Sequence, residues 1–206
     1  MGNTVGSANV DFCDLPRNEE YAYMFGLWCA DGYHRTSSIG LSNTDPDLIQ
    51  RFSGFLRTLF PVERVKMRIY EPDSKKRRTR AYHVYVNSRP LLRTFKAWRL
   101  SPRNFVAARL IVPYMAGRFD GDGSVASDFY CDCRIVYSNA EEAEQDGAFL
   151  REVGFEKIKI YHYVQARTFC LYVSRLETKQ FLSSIYVHST RLQKSAFAPR
   201  RDLIVV

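Results

Sequence analysis

Residues 114–125, YMAGRFDGDGSV, repeat the pattern of residues 23–34, YMFGLWCADGYH. Each copy begins with Tyr-Met, carries a glycine two positions after the methionine, and then reaches an aspartate followed by glycine. These aspartates are Asp31 and Asp122, which lie 91 positions apart. A single Asp-Gly pair is usually only a turn. Two such pairs, each at the end of a short apolar segment, indicate an internal duplication of the chain.

The same order of segments follows both copies of the motif. Helical patterns occupy residues 45–60 and 140–155, and alternation over residues 65–71 and 156–163 indicates strands. Together with the remaining segments, each half has the order helix, strand, strand, helix, strand, strand, helix. We therefore predict an α+β chain in three parts: an N-terminal extension of residues 1–17, a first unit of residues 18–100 and a second unit of residues 101–206.

Alternation within the predicted strands separates an apolar face from a basic and aromatic face. Met67 and Ile69 alternate with Lys66 and Arg68, and residues 156–163 follow the same rule. The apolar face should pack on helices, because an antiparallel sheet commonly covers the core with one side only. The other face carries Lys, Arg and Tyr in both halves. A solvated sheet surface is the ordinary explanation, but this composition also fits a surface that contacts DNA.

The overall charge favours a polyanionic partner. The chain has 30 Lys and Arg against 22 Asp and Glu, for a net charge of +8 and a sequence pI of about 9.3. Cationic side chains bind phosphates and release the counterions around nucleic acid. No apolar run reaches the length of about 18 residues that a membrane-spanning helix needs. We therefore expect no association with membranes.

The five cysteines do not form a metal-binding pattern. No CxxC pair occurs, and Cys131 and Cys133 fall on the apolar side of a predicted strand, which places them in the core. Unpaired thiols are typical of reducing compartments. The polar N-terminal region also lacks the apolar stretch of a secretory signal. These features predict an intracellular protein of the cytoplasm, nucleoid or an organelle matrix.

The two motif segments have the spacing of closely packed helices. Gly26 with Ala30, and Gly117 with Gly121, recur at i and i+4, so each helix has a stripe of small residues. Close contact along these stripes would place Asp31 and Asp122 side by side, where like charges repel. The aspartates could be simple helix-end residues. A divalent cation between them, with Mg²⁺ as the natural choice, would explain the crowding better.

The segments MFGLWCADG (residues 24–32) and MAGRFDGDG (residues 115–123) resemble the two signature motifs of a single-chain LAGLIDADG homing endonuclease. The resemblance implies two pseudo-twofold-related αββαββα subdomains, whose antiparallel sheets form a DNA-binding saddle. It also implies two or three Mg²⁺ ions, for which Mn²⁺ can substitute, while Ca²⁺ supports binding without cleavage. The implied metal ligands are the carboxylates of Asp31 and Asp122, with the backbone carbonyls of Ala30 and Gly121. The first motif departs from the family pattern at Trp28 and Cys29.

Members of that family also tend to place a basic residue near each catalytic carboxylate. Arg103 follows Asp31 by 72 positions, and Lys194 follows Asp122 by the same number. We therefore take Arg103 and Lys194 as candidate catalytic residues, although a general surface role is an equal alternative. The matched pairs Ser42-Asn43 and Ser138-Asn139 could orient water, but capping of the following helix is the more ordinary role.

The residues expected to contact DNA share a basic or aromatic side chain on the non-core side of a strand or in an adjacent turn. The turn at residues 71–80, EPDSKKRRTR, is either a solvated run of charge or a loop that holds phosphates. Arg and Lys on the strands would favour guanine in the major groove. The predicted set is Arg35, Lys66, Arg68, Lys75, Lys76, Arg77, Arg78, Arg80, His83, Tyr85, Arg134, Lys157, Lys159, Tyr161, Arg167 and Tyr172.

The sequence therefore predicts a site-specific endonuclease that cuts double-stranded DNA. We expect a monomer with no obligate protein partner and a biological role in intron mobility. Two alternatives on the same fold stay open: an RNA maturase that binds intron RNA, and a DNA-binding regulator that has lost cleavage.

Overall fold

The computed structural model describes residue 12 and residues 15–35, 37–71, 79–125 and 132–195. Five of the residues singled out from the sequence lie outside these ranges: Lys75, Lys76, Arg77, Arg78 and Cys131.

Both halves have the predicted order of elements. The first comprises α1 (Glu19–Asp31), β1 (Gly32–Arg35), β2 (Ser38–Asn43), α2 (Pro46–Leu59), β3 (Lys66–Tyr70), β4 (Ala81–Asn87) and α3 (Arg89–Leu100). The second comprises α4 (Ile111–Asp122), β5 (Gly123–Val125), β6 (Cys133–Tyr137), α5 (Ala140–Glu152), β7 (Ile158–Tyr163), β8 (Thr168–Val173) and α6 (Arg175–Ile185), followed by α7 (Thr190–Lys194).

The strands form two antiparallel four-stranded sheets with the same topology. The first sheet has the order β1-β2-β4-β3 and the second β5-β6-β8-β7. The predicted α+β fold of two αββαββα units is thereby confirmed. The matching strand order shows that the duplication seen in the sequence extends to the topology of each half.

Local sequence sets where the helices begin. The side chains of Asn18, Asp45, Ser88, Asn139 and Ser174 each accept a hydrogen bond from a backbone amide in the first turn of the following helix. These bonds satisfy amides that have no partner inside the helix. Every one of these residues can be recognised from the sequence as a preferred N-cap type.

Helices α1 and α4 pack directly on each other along their glycines. A Cβ atom added at Gly26 would lie 2.0 Å from the carbonyl oxygen of Tyr114, and one at Gly117 would lie 2.1 Å from the carbonyl oxygen of Tyr23. The contact is therefore backbone to backbone and reciprocal between the two helices. It matches the close approach expected from the stripes of small residues.

The apolar faces of the inner strands cover the core as predicted. Ile39 and Leu41 of β2, and Cys133 and Ile135 of β6, are completely buried. The position of Cys133 confirms that this thiol belongs to the core.

The prediction for β3 was wrong in one respect. Met67 and Ile69 are 50% and 52% exposed instead of packing on helices. The reason is that β3 is an edge strand, and helix α2 packs on β2 and β4. In the second half, by contrast, α5 packs on the corresponding edge strand β7, where Ile158 is buried and Ile160 lies near Gly147 of α5.

Candidate active site

The two repeated aspartates meet where α1 and α4 end. Asp31 and Asp122 are the last residues of these helices, and both are half-buried. Ala30 and Gly121 pack against each other, because a Cβ on Gly121 would lie 2.3 Å from that of Ala30. The same added atom would lie 3.2 Å from Oδ2 of Asp31. Only a residue without a side chain therefore fits beneath this carboxylate.

The carboxylate of Asp31 is held in an unfavourable electrostatic environment. Burial, and next the negative charge of Asp122, raise the pKa of Asp31 from 3.8 to about 6. A hydrogen bond from Asn43 opposes the increase, as do the positive charges of Arg191 and Arg118. The balance still disfavours the ionised form.

Asp122 lies among a mixed set of charges. Burial raises its pKa above the ordinary value. The positive charge of Arg118 opposes this increase, Glu142 adds to it, and Arg99 and Arg191 oppose it. Two carboxylates that both resist ionisation are a natural place for a cation, because the cation's charge favours their ionised forms.

Asn43 and Asn139 do different things despite their matched positions. Asn43 donates from Nδ2 to Oδ2 of Asp31 at 2.6 Å, and its Oδ1 accepts from the amide of Asp45 at 2.7 Å. Asn139 caps α5 by accepting from the amide of Glu141 at 2.7 Å. Capping is therefore confirmed for Asn139, while Asn43 orients a carboxylate of the site.

Lys194 and Arg103 are engaged with other partners. Lys194 pairs with Asp45, at 3.4 Å, and with Asp47, both at the start of α2. Arg103 pairs with Glu152 and lies 4.4 Å from the centroid of Phe149, so these contacts are on α5 rather than at the aspartates. Equal spacing in the sequence does not give equivalent places, because the two halves follow different paths after α3 and α6.

Arg191 takes the position at the aspartates that the sequence spacing assigned to Lys194. Its Nη1 donates to the carbonyl oxygens of Phe119, Asp120 and Gly123, at 3.3, 3.0 and 3.1 Å. The guanidinium therefore caps the C-terminal end of α4, where the helix dipole is negative. A duplicated spacing could not reveal Arg191, because the position 91 residues earlier is Leu100.

A second arginine lies inside the protein beneath the site. Arg118 is 1% exposed, and its Nε donates to Asp146 at 2.9 Å. The hydroxyls of Tyr114 and Tyr137 donate to the same carboxylate at 3.0 and 2.9 Å, and Glu142 lies 3.4 Å from Nη2 of Arg118. Burying an ion pair is costly unless its remaining polar atoms are satisfied. Three hydrogen bonds satisfy Asp146, whereas Nη1 of Arg118 is buried without a hydrogen-bond partner among the described residues.

A cavity of about 380 Å³ opens beside Asp31. Asn43, Asp45, Gly121 and Arg191 contribute to its lining. The cavity therefore brings together a carboxylate, an amide and a guanidinium, the groups that could hold a metal ion and a phosphate.

The first sheet carries basic residues on the face opposite the helices. Lys66 pairs with Tyr85 and Arg68 with His83, so all four share this face. Arg68 lies 5.2 Å from the centroid of the Tyr85 ring. Arg35 lies on the same face, 5.6 Å from the ring of Tyr33, which packs on His83. This arrangement agrees with the basic face expected from the sequence.

His83 and Tyr85 do not occupy the exposed positions expected of base-contacting residues. They are 3% and 8% exposed. The Tyr33 ring lies 3.9 Å from that of His83, and Arg68 covers Tyr85. They form the floor of an aromatic cluster, which leaves Tyr33 and Arg68 as the side chains above them.

The second sheet has a comparable row on its outer face. Arg134 pairs with Tyr172, which pairs with Lys159. The ring of Tyr161 lies 5.1 Å from that of Tyr172. Lys157 lies beside Lys159 in the lining of a cavity of about 400 Å³.

Two predicted DNA contacts lie in or beside turns. Arg167 is exposed between β7 and β8 and has a positive φ of 52°. Arg80 precedes β4 and pairs with Glu71 at 3.0 Å.

The comparisons with known proteins agree with this geometry. Residues 18–97 match the family model of the LAGLIDADG-like domain. No curated protein sequence matches the chain significantly.

Solved LAGLIDADG structures extend the similarity to both halves. I-DmoI in complex with DNA and Mn has a TM-score of 0.64 at 19% identity, over 82% of this chain and 97% of that one. The N-terminal LAGLIDADG domain of DUF199/WhiA has a TM-score of 0.61 at 18% identity, over 85% and 86%. Full-length DUF199/WhiA from Thermatoga maritima has a TM-score of 0.60 at 18% identity, over 89% and 61%. The predicted resemblance to single-chain LAGLIDADG proteins is confirmed, and at these identities it establishes the fold.

The two repeated aspartates present oxygen ligands of the kind that Mg²⁺ prefers. The described residues contain no group of three or more His, Cys, Asp and Glu side chains that could hold a metal ion. Mg²⁺ is commonly held by one or two carboxylates, with water and phosphate oxygens completing the shell. Asp31 and Asp122 fit that requirement, and a bound cation would oppose the increase in pKa that burial causes at both carboxylates.

None of the helices within the described ranges has the length and apolar character needed to cross a bilayer.

Proposed function

We propose that this protein is a site-specific endonuclease that acts as a monomer, binds double-stranded DNA and cuts both strands with the help of Mg²⁺. The observation that supports it best is the meeting of Asp31 and Asp122 at the ends of two touching helices. A protein that only binds DNA gains nothing from crowding two carboxylates, since negative charge repels phosphate. The biological role we propose is intron mobility.

Each part of the site then has a task. Asp31 and Asp122, with the carbonyls of Ala30 and Gly121, hold the metal. Bound Mg²⁺ supplies activation of water and stabilisation of the leaving 3′ oxygen. Asn43 fixes the orientation of the Asp31 carboxylate through its hydrogen bond of 2.6 Å.

Arg191 and the two sheets act on the DNA itself. Among the described residues, every hydrogen bond that the Arg191 guanidinium donates comes from Nη1, which leaves Nε and Nη2 to donate to a phosphate oxygen. Basic side chains on the outer sheet faces neutralise the DNA backbone and read bases in the major groove. Exposed members of this group, such as Arg68 and Lys159, are better placed for this than His83 and Tyr85.

The fold alone does not separate a nuclease from a binding protein. The test therefore begins with binding. A randomised duplex library is selected on the protein in Ca²⁺, and the enriched sequence is then incubated with the protein in Mg²⁺, in Mn²⁺ and in Ca²⁺. An Asp122→Asn variant is the matched control, because it keeps the shape of the side chain.

The proposal predicts double-strand cleavage in Mg²⁺ and Mn²⁺ by the parent protein, with binding alone in Ca²⁺. The Asp122→Asn variant should bind the same sequence and lose at least about 100-fold in cleavage rate, as expected when a catalytic group is removed. Binding of the selected duplex without cleavage in either metal would instead identify a DNA-binding regulator. Selection of no duplex, together with binding to structured RNA, would point to a maturase.

A further inference from the structure

The second motif contains a further aspartate, Asp120, which is buried and borders the cavity beside Asp31. Asp120 is 1% exposed. Its carboxylate accepts hydrogen bonds from the hydroxyl of Tyr23 at 2.6 Å, from the hydroxyl of Ser189, and from the amides of Thr190 and Arg191 at 2.7 and 3.4 Å. Oδ2 accepts three of these bonds and Oδ1 accepts the one from Ser189, so the carboxylate is engaged mainly with donors of the protein itself.

These bonds join three separate elements. Tyr23 belongs to α1, Asp120 to α4, and the other donors to the first residues of α7 and its N-cap Ser189. The five-residue α7 buries only Leu192. A helix this short is marginal on its own, so polar contacts to Asp120 are a large part of what fixes its position.

The position of α7 determines where Arg191 lies. The backbone amide of Arg191 is bound to Asp120, and its guanidinium lies on three carbonyl oxygens around the end of α4. Arg191 lines the cavity beside Asp31. Loss of the Asp120 carboxylate would therefore release the residue whose side chain reaches this cavity.

The first motif has no equivalent of this arrangement. Cys29 occupies the position of Asp120, and Leu100, which is 85% exposed, occupies that of Arg191. The cavity on the other side, beside Trp28, is instead lined by Arg99 and Glu142. Arg191 and Arg118 therefore act on both carboxylates, whereas Arg99 acts on Asp122, and Arg191 lines only the cavity beside Asp31.

We propose that Asp120 is a positioning residue that holds Arg191 beside Asp31 and thereby controls cleavage of one DNA strand more than the other. This inference depends on the proposed nuclease function. Asp120 itself contacts neither DNA nor metal. It acts through the hydrogen bonds that fix the N-terminus of α7.

The test compares Asp120→Asn with Asp146→Asn. Both carboxylates are buried and accept tyrosine hydroxyls, but Asp146 binds Arg118 and not α7. Each strand of the selected duplex is labelled separately, and its cleavage is followed in Mg²⁺. The Arg191→Met variant and the Asp120→Asn/Arg191→Met double variant are measured in the same way. Asp120→Asn should slow one strand at least tenfold relative to the other and accumulate nicked DNA. Arg191→Met should slow the same strand, and the double variant should add little.

A binding measurement keeps the test independent of cleavage. In Ca²⁺, the slope of log affinity against log salt should fall by about one for both Asp120→Asn and Arg191→Met, as expected for one lost phosphate contact. Asp146→Asn, measured at a temperature where circular dichroism shows that it is folded, should keep the parent's salt slope, because neither Asp146 nor Arg118 is exposed to DNA, and it should not reproduce the strand bias. The inference is overturned if Asp120→Asn slows both strands equally or keeps the parent's salt slope, or if Asp146→Asn gives the same strand bias. If the parent binds without cutting, the proposed nuclease function fails, and the salt slopes alone decide whether Asp120 positions Arg191.

Discussion

Replacing Asp31 by asparagine should make the metal-free protein more stable at neutral pH. The pKa of Asp31 is raised from 3.8 to about 6, so its ionised form is disfavoured in the folded protein. A shift of about two pH units corresponds to about 3 kcal/mol at full ionisation. Asparagine removes the charge and keeps an oxygen that can accept from Nδ2 of Asn43. The pKa of about 6 already includes the effect of the bond from Asn43, so the expected gain is the full value of the shift, about 3 kcal/mol.

The gain should depend on pH in a defined direction. Because the folded pKa of Asp31 lies above the unfolded one, the protonated group favours folding, and this contribution is lost as pH rises from about 4 to about 6. The Asp31→Asn variant should therefore match the parent near pH 4 and exceed it fully above pH 6. Each kcal/mol moves the melting temperature of a protein of this size by about 2 to 4 °C, so the expected increase is about 6 to 12 °C.

The assay is thermal and urea unfolding followed by circular dichroism in EDTA, from pH 4 to pH 8. Asp45→Asn is the control, because it also removes a carboxylate near the site but one that is paired with Lys194 and caps α2. It should give no gain. Added Mg²⁺ should stabilise the parent more than Asp31→Asn, since ligand binding to the folded state adds to its stability. An Asp31→Asn variant that is less stable than the parent at pH 7.5, or equally improved at pH 4, would refute this account of the site.

Three further predictions test the packing beneath the site. Gly26→Ala should destabilise the protein by about 3 kcal/mol or more in urea unfolding, because the new Cβ would lie 2.0 Å from the Tyr114 carbonyl oxygen. The control is Gly54→Ala in α2, where the new Cβ has no atom within 4 Å, and this variant should be more stable than the parent by about 0.5 to 1 kcal/mol. Similar effects of the two substitutions would contradict the close contact between α1 and α4. Asp146→Asn should lower the free energy of unfolding by about 3 to 5 kcal/mol in the same assay, because it leaves Arg118 as a buried cation without its partner. A decrease below about 1 kcal/mol would show that this ion pair is dispensable for stability. Asn43→Ala should raise the pKa of Asp31 further, because it removes a hydrogen bond that favours the ionised carboxylate. The pKa can be measured by NMR of the carboxyl carbon in EDTA. Asn139→Ala should leave the pKa of Asp31 unchanged, and an equal shift in both variants would argue against the assigned role of Asn43.

Some of the predicted DNA contacts can be ranked by exposure. Residues such as Arg68 and Lys159 are exposed on the outer faces of the two sheets, whereas His83 and Tyr85 are covered by neighbouring side chains. The alternation of residues along a strand indicates which face a side chain occupies. It does not indicate whether another side chain, such as Tyr33, lies over it.

The sequence by itself determined the elements that depend on local patterns. The small residues four positions apart, Gly26 with Ala30 and Gly117 with Gly121, predicted two helices in backbone contact, because a helix repeats every 3.6 residues. The alternation of apolar and polar residues predicted the strands, because a strand repeats every two residues. The meeting of Asp31 and Asp122 followed directly from that helix contact. These features need no knowledge of how distant segments pack.

Only the tertiary structure decided which positively charged side chains lie near the two aspartates. Arg191 reaches the end of α4 while Lys194, three residues later, turns to α2, and Arg118 lies buried against Asp146 inside a motif helix. Such choices depend on how α5 and α7 are rotated and placed against α4, which brings together residues up to about 70 positions apart in the chain. Successive residues of a helix point about 100° apart, so a shift of one residue in that packing would present a different cation to the same carboxylate.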